Sequence, residues 1–238
     1  MDTPGADIWP VAIEAGGTLL SAVAHLPAVV PAPVVVCSHG LLSTKESQKF
    51  ISVCNALASE GFCSLRFDFS GCGQSGRRSG AGLIDARRRD LASVMAFALK
   101  QPYSDGRLGL FGSSLGGFLS LLAANERPEM VFATVSWSAP FDVGSKHARK
   151  VEEIFPEGLG SPADLTGLDR AGRVLLLHGQ SDEIVPWTES VQIYNRLKDP
   201  SRLFLLRNAD HRIREPSWRT LAIRETMIWF SAHEGQKP

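Results

Sequence analysis

The sequence predicts an α/β protein: a mostly parallel central sheet opened by an N-terminal antiparallel hairpin, with helices on both faces and a small lid insertion. Three observations predict it. Strand-like and helix-like segments alternate from about residue 34 to the C-terminus, and repeated strand–helix–strand units build parallel sheets. The segment Pro33-Val34-Val35-Val36-Cys37-Ser38 is a continuous apolar run of the kind found in a strand buried on both faces. Finally, 238 residues with 44% hydrophobic and 21% charged positions match one domain of ordinary size, spanning 1–238.

The elements follow in order. Segments 8–15 and 18–26 flank Gly16-Gly17 and read as a hairpin. After strand 33–38, segment 47–60 places Phe50, Ile51, Val53, Cys54, Leu57 and Ala58 on one helical stripe, and Gly61 stops it. Strand 63–67 precedes a helix at 85–100 with Leu91, Val94, Met95, Ala98 and Leu99 inward and Pro102 beyond its end. Further strands fall at 107–111, 131–137, 173–177 and 202–206, with helices at 114–125, 188–198 and 216 to about 232. Glu215-Pro216 suits the start of the last helix, because proline is tolerated in a first turn. The interval 139–171 breaks the rhythm. It carries several Gly and Pro, the charged stretch Lys146-His147-Ala148-Arg149-Lys150, and a short apolar set, Val143, Val151, Ile154 and Phe155. It reads as a lid over the strand ends, or equally as a surface loop remote from chemistry.

Composition excludes several functions. The 25 basic residues balance 25 acidic ones, with no net charge, so binding nucleic acid through bulk electrostatics is not expected. The acidic N-terminus lacks the apolar core of a secretory signal. The most apolar early stretch, 26–37, is broken by Pro27, Pro31 and Pro33 and is shorter than the ~20 residues of a membrane span. Cys37, Cys54, Cys63 and Cys72 form no C-x-x-C pair and no metal-ligand spacing. They read as reduced, mostly buried thiols. The expectation is a cytoplasmic protein with no metal, cofactor, nucleic-acid or membrane partner, a monomer or homodimer acting on a small molecule.

Folds of this class bind ligands at the C-terminal ends of the strands. After strand 107–111 comes Gly112-Ser113-Ser114-Leu115-Gly116-Gly117 and then a helix. This is G-x-S-x-G between strand and helix, the setting in which the motif has meaning. Such a sharp turn strains the central residue, and side chains two positions before and after would collide. That spacing selects Ser114 as the nucleophile and leaves Ser113, flanked by Phe111 and Leu115, in support. A chance Gly/Ser-rich turn is the bland alternative.

A serine hydroxyl needs a base to attack at neutral pH. Of six histidines, His211 follows the last strand in Asn208-Ala209-Asp210-His211-Arg212, and His39 and His178 also follow strands. The acid candidate is Asp182, between strand 173–177 and the next helix, where a carboxylate would fix the imidazole tautomer. Asp210 is weaker, because adjacent side chains in extended chain diverge, and Glu183 is the nearest substitute. The order Ser114, Asp182, His211, each after a different strand, makes chance a poor explanation.

On these residues the chain resembles the α/β-hydrolase family. The resemblance rests on His39-Gly40, Gly112–Gly116, the His178-Gly179…Asp182…Val185-Pro186 block and His211, and runs from the hairpin to the last helix. The stretch from Phe67 to Ser75 also resembles the family's D-x-x-G-x-G-x-S turn. It implies an oxyanion hole from the backbone N–H groups of Leu41 and Leu115. Leu115 opens a helix behind the nucleophile, and Leu41 follows His39-Gly40 on the same edge. Ser114 departs from the Asp of haloalkane dehalogenases and epoxide hydrolases and from the Cys of dienelactone hydrolases. His39-Gly40-Leu41-Leu42 departs from the H-G-G-G of hormone-sensitive-lipase-like esterases. The nearer resemblance is to compact feruloyl or cinnamoyl esterases and to acyl-aminoacyl or proline-type peptidases.

The expected activity is therefore carboxylic ester cleavage, of small or medium acyl groups, through an acyl-enzyme. The alternatives are an acyl-peptidase or thioesterase of the same fold, or a non-catalytic binding protein. Binders of this type lose a triad member or the elbow glycines, and this chain keeps all of them. Leu41, Leu42, Trp137, Phe141, Ile184, Trp187 and Ile213 could line an acyl pocket, and each has a core-packing reading too. Arg77-Arg78 and Arg87-Arg88-Arg89 could attract an anionic leaving group, or form a solvated loop and helix face.

Overall fold

In the computed structural model, which describes residues 7–77, 82–144, 158–160 and 164–235, successive residues of strand β3 (Ala32–Ser38) serve two different cores. Val34 and Val36 join one hydrophobic cluster, Val35 and Cys37 the other. All seven residues of the strand are buried, which is why the sequence there is an unbroken apolar run rather than an alternating one. Helices α2 (Leu83–Leu99) and α3 (Leu115–Glu126) supply the first cluster, with Ile193 of α4 (Trp187–Tyr194). Helices α1 (Gln48–Ser59) and α5 (Pro216–His233) supply the second. The sheet is thus covered on both sides.

Eight strands run in the order β1-β2-β4-β3-β5-β6-β7-β8. The remaining strands are β1 (Asp7–Glu14), β2 (Leu19–Leu26), β4 (Cys63–Phe67), β5 (Ser104–Ser113), β6 (Val131–Trp137), β7 (Val174–Gly179) and β8 (Ser201–Leu206). β1 and β2 pair antiparallel, as do β2 and β4; every later pairing is parallel. The hairpin turns through Gly16 and Gly17, both at positive φ (60° and 85°), the geometry that matches strand twist in a two-residue turn. Strand order reverses between β3 and β5, so their C-terminal ends flank the crevice where such sheets bind ligands.

Three expectations need correction. The helix placed at 188–198 ends at Tyr194, because the next amides turn tightly and Lys198 N–H is taken by Ala171 O (2.8 Å). β5 begins at Ser104, where it already pairs with Ala32. The arginine run does not form one solvated face. Arg87 is wholly buried, stacked 4.9 Å from the Phe69 ring centre, with an Nη2 hydrogen bond to Leu41 O (3.2 Å). Arg88 is exposed and pairs with Glu126, Arg89 is exposed, and Arg78 lies outside the described residues.

Most of the interval 139–171, including Val151, Ile154, Phe155 and the charged stretch, also lies outside them. Its described ends are anchored: Val143, Leu159, Leu165 and Leu168 are buried in the first cluster, and Asp142 bridges Asp164. Cys37, Cys54 and Cys63 are buried free thiols and Cys72 is half-buried. Among the described residues no helix is long and apolar enough to cross a membrane.

Candidate active site

Ser114 sits between β5 and α3 with φ 56° and ψ −125°, a left-handed conformation that a non-glycine residue adopts only when its surroundings enforce it. Its own N–H is fixed by Trp137 O at the end of β6 (2.8 Å). The glycines allow the turn by close approach. A Cβ on Gly112 would lie 2.3 Å from Gly116 O, and one on Gly116 would lie 2.0 Å from Ser38 O. The collision that matters is therefore with backbone across the turn and on β3.

The imidazole of His211 bridges the other two members of the predicted set. Nε2 is 3.1 Å from Ser114 Oγ and Nδ1 is 2.7 Å from Asp182 Oδ2. The loops that carry His211 and Asp182 are joined. Ser181 N–H donates to Ala209 O (3.1 Å) and His211 N–H donates to Glu183 Oε2 (3.2 Å). This close packing requires Gly179, where a Cβ would stand 2.2 Å from Ala209 O.

The Asp182 carboxylate is covered from solvent and takes four hydrogen bonds. Oδ1 accepts from the Ile184 and Val185 amides (2.9 and 2.8 Å), and Oδ2 accepts from His211 and from His178 Nε2 (3.0 Å). Burial alone would raise its pKa. The hydrogen bonds from His178 and His211 and the His211 charge outweigh burial and hold the carboxyl well below the usual range. His178 is held in turn by Ser190 Oγ at Nδ1 (2.6 Å) and by Val185 O at Nε2 (2.9 Å). Nε2 therefore carries the proton, and Nδ1 accepts from the Ser190 hydroxyl. The two substitutes for Asp182 are otherwise engaged. Asp210 pairs with Arg214, and Glu183 meets the main chain of His211 rather than its ring.

Opposite the serine, the loop after β3 brings Gly40 against Ser114; a Cβ there would be 3.2 Å from Ser114 Cβ. The N–H groups of Leu41 and Leu115 donate to no acceptor among the described residues. His39 fixes this loop. Its Nδ1–H donates to Gly40 O (2.7 Å), and Nε2 accepts from Phe69 N–H (3.1 Å). Burial, then Arg87, push the His39 pKa down to about 4, so the ring is neutral. The peptide whose carbonyl His39 binds is the one that carries the Leu41 N–H. A hydrogen bond at one end of an amide polarises the other.

The cleft above these groups has a volume of about 840 Å³, with Leu41, Leu42, Leu115 and Ile184 among its lining residues. The other predicted pocket residues lie elsewhere. Trp137 is fully buried among α1 and α5 residues, its indole N–H donating to Thr226 Oγ1 (3.1 Å). Ile213 is buried in the same cluster. Phe141 is half-buried beneath the Arg196 guanidinium, 4.6 Å from its ring centre, and Trp187 begins α4 away from the cleft. Among the described residues no group of three or more His, Cys, Asp or Glu could hold a metal ion.

Comparison with known proteins agrees with the fold. The model of the alpha/beta hydrolase fold family matches residues 33–173. Palmitoyl-protein thioesterase ABHD10, mitochondrial, from Mus musculus is 32% identical over 213 residues, 77% of this chain and 70% of that protein. The acylamino-acid-releasing enzyme of Mus musculus is 25% identical over 85% of this chain, which spans 32% of that longer protein. Among solved structures, Est1E from Butyrivibrio proteoclasticus with ferulic acid bound superposes with a TM-score of 0.74 at 18% identity, covering 93% of this chain and 99% of Est1E. With this fold, this strand order and these relatives, the chain belongs to the alpha/beta hydrolase fold family.

Proposed function

We propose that the chain hydrolyses acyl esters, with Ser114 as nucleophile, His211 as general base and Asp182 as the carboxylate that orients it. The observation that carries the reading is the continuous relay Ser114 Oγ, His211 Nε2 (3.1 Å), His211 Nδ1, Asp182 Oδ2 (2.7 Å). His211 takes the hydroxyl proton as Oγ attacks the acyl carbonyl, and ionised Asp182 stabilises the imidazolium that forms. The Leu41 and Leu115 N–H groups receive the developing oxyanion; one such donor is typically worth ~10²–10³ in rate. The tetrahedral species expels its leaving group, which takes the proton from His211. Water, deprotonated by the same imidazole, then releases the acid from the acyl-enzyme.

A thioester substrate is the second reading, favoured by the similarity to a palmitoyl-protein thioesterase. The same steps serve it with a thiolate leaving group. The test is hydrolysis of p-nitrophenyl acetate by the parent chain and by Ser114→Ala, with fluorophosphonate labelling of each. Turnover and labelling should both disappear in the variant, and full turnover by Ser114→Ala would refute the reading. Comparing p-nitrophenyl acetate, an acyl-CoA and an acyl-peptide anilide then separates ester, thioester and peptide preference.

A further inference from the structure

Lys49 lies in the first turn of α1, where the other buried residues are Phe50, Val53, Cys54, Leu57 and Ala58. It lines the cleft together with Ser113 and Ser114. Its Nζ donates to Ser113 Oγ (2.8 Å) and stands 5.7 Å from the centre of the Trp137 ring. The residue is only 9% exposed, and among the described residues no carboxylate comes within 4.0 Å of the ammonium. An ammonium has three donors; one meets a neutral hydroxyl, and the Trp137 face adds only a cation–π contact. A buried charge is ordinarily paired, and this one has no anion.

Two further cations, Arg212 and Arg219, line the same cleft. Burial first, and then the Arg219 charge, push the Lys49 pKa down to about 8; Arg212 adds to the repulsion, and the more distant carboxylates of Asp210 and Asp182 oppose it without reaching the ammonium. Arg219 donates through Nε to Ile213 O (3.1 Å), and Arg212 reaches no acceptor among the described residues. The remaining cleft charges are already matched. Arg214 pairs with Asp210, Glu46 with Arg66 and Lys45, and Glu183 accepts the His211 N–H. Three like charges lining one cleft repel one another, and an anion placed among them offsets that repulsion.

We infer that Lys49, Arg212 and Arg219 form an anion subsite beside Ser114, and that the substrate carries a carboxylate or phosphate a few bonds from its scissile carbonyl. The short linkage follows because Lys49 binds the residue adjoining the nucleophile. The inference rests on the acyl-transfer reading above and adds the substrate's charge to it.

The experiment measures kcat/KM for matched esters. Mono-p-nitrophenyl glutarate against p-nitrophenyl valerate puts the anion in the acyl half. 4-Acetoxybenzoate, or 4-acetoxyphenyl phosphate, against 4-methylphenyl acetate puts it in the leaving half. At least one charged-to-neutral ratio should exceed about tenfold, as expected for a charge-assisted contact. Lys49→Met should lower that ratio about tenfold, and Lys49→Arg should largely restore it. If Lys49→Met does not fold, Arg212→Gln and Arg219→Gln should each lower the ratio about threefold or more. Ratios near one throughout, or ratios that none of these substitutions moves, overturn the subsite while Ser114-dependent hydrolysis of the neutral esters stands. Turnover that survives Ser114→Ala overturns the parent reading and the subsite with it.

Discussion

His39 offers a test in which stability and catalysis come apart. Its two nitrogens do different jobs: Nδ1–H holds Gly40 O at 2.7 Å, and Nε2 receives Phe69 N–H at 3.1 Å. Replacing His39 with Phe leaves both backbone groups without a partner in a buried site, at about 1–3 kcal/mol each. A loss of roughly 2–6 kcal/mol in unfolding free energy follows. The catalytic effect comes through the Gly40–Leu41 peptide alone. If the lost bond is worth about 0.5–1.5 kcal/mol net and is felt fully in the transition state, kcat falls about 2–13-fold. If the loop swings away and the Leu41 donor is lost, the fall approaches ~10²–10³. His39→Asn keeps a donor near the place of Nδ1 and abandons Phe69, so it should regain most of kcat and remain about 1–3 kcal/mol less stable than the parent. Steady-state hydrolysis of p-nitrophenyl acetate and urea unfolding of the three proteins measure both quantities. Wild-type kcat in His39→Phe, or an Asn variant no faster than the Phe variant, would refute the assignment.

Other consequences can be checked with the same assays. His39 and His25 both have pKa values lowered to about 4, by burial first, with Arg87 and Arg66 the respective charges that add to it. The unfolded chain takes up these protons near 6.5, so stability should be full above that pH and fall as pH drops from 6.5 toward 4. Urea midpoints across that range measure this; a flat profile contradicts it. His178→Phe removes one of four hydrogen bonds to Asp182 and should lower kcat about tenfold with little change in KM; an equal rise in KM instead would point to a disturbed pocket. Gly116→Ala drives a methyl to within 2.0 Å of Ser38 O and should cost about 3 kcal/mol or more or prevent folding, whereas a stable, active variant would show that the elbow can spread.

The strand–helix alternation and the elbow were legible because each has a local cause. Residue pattern sets the period, and glycine spacing marks the turn. Ser114, Asp182 and His211 could be picked out because each follows a strand, and the structure brings these three side chains together. Side-chain direction at strand ends was not legible. Trp137 ends β6 next to the elbow, yet it faces the α1–α5 core, where Thr226 takes its N–H. Charged residues that the fold buries were also hidden. Lys49 falls outside the apolar stripe read for its helix, and Arg87 belongs to a run that could be a solvated face; only tertiary contacts with Ser113 and Leu41 reveal their placement. His39 was visible as a strand-end histidine, but its grip on the Gly40 carbonyl depends on a ring orientation that no local pattern encodes.

The joined loops after β7 and β8 have a consequence for heat. Asp182 and His211 ride on two loops tied to each other by the Ser181–Ala209 and His211–Glu183 bonds, whereas Ser114 is anchored to the end of β6. Warming that loosens those two loops from the elbow parts the alcohol from the imidazole before the sheet melts. Thermal loss of turnover should therefore run ahead of loss of ellipticity, and brief cooling should restore turnover.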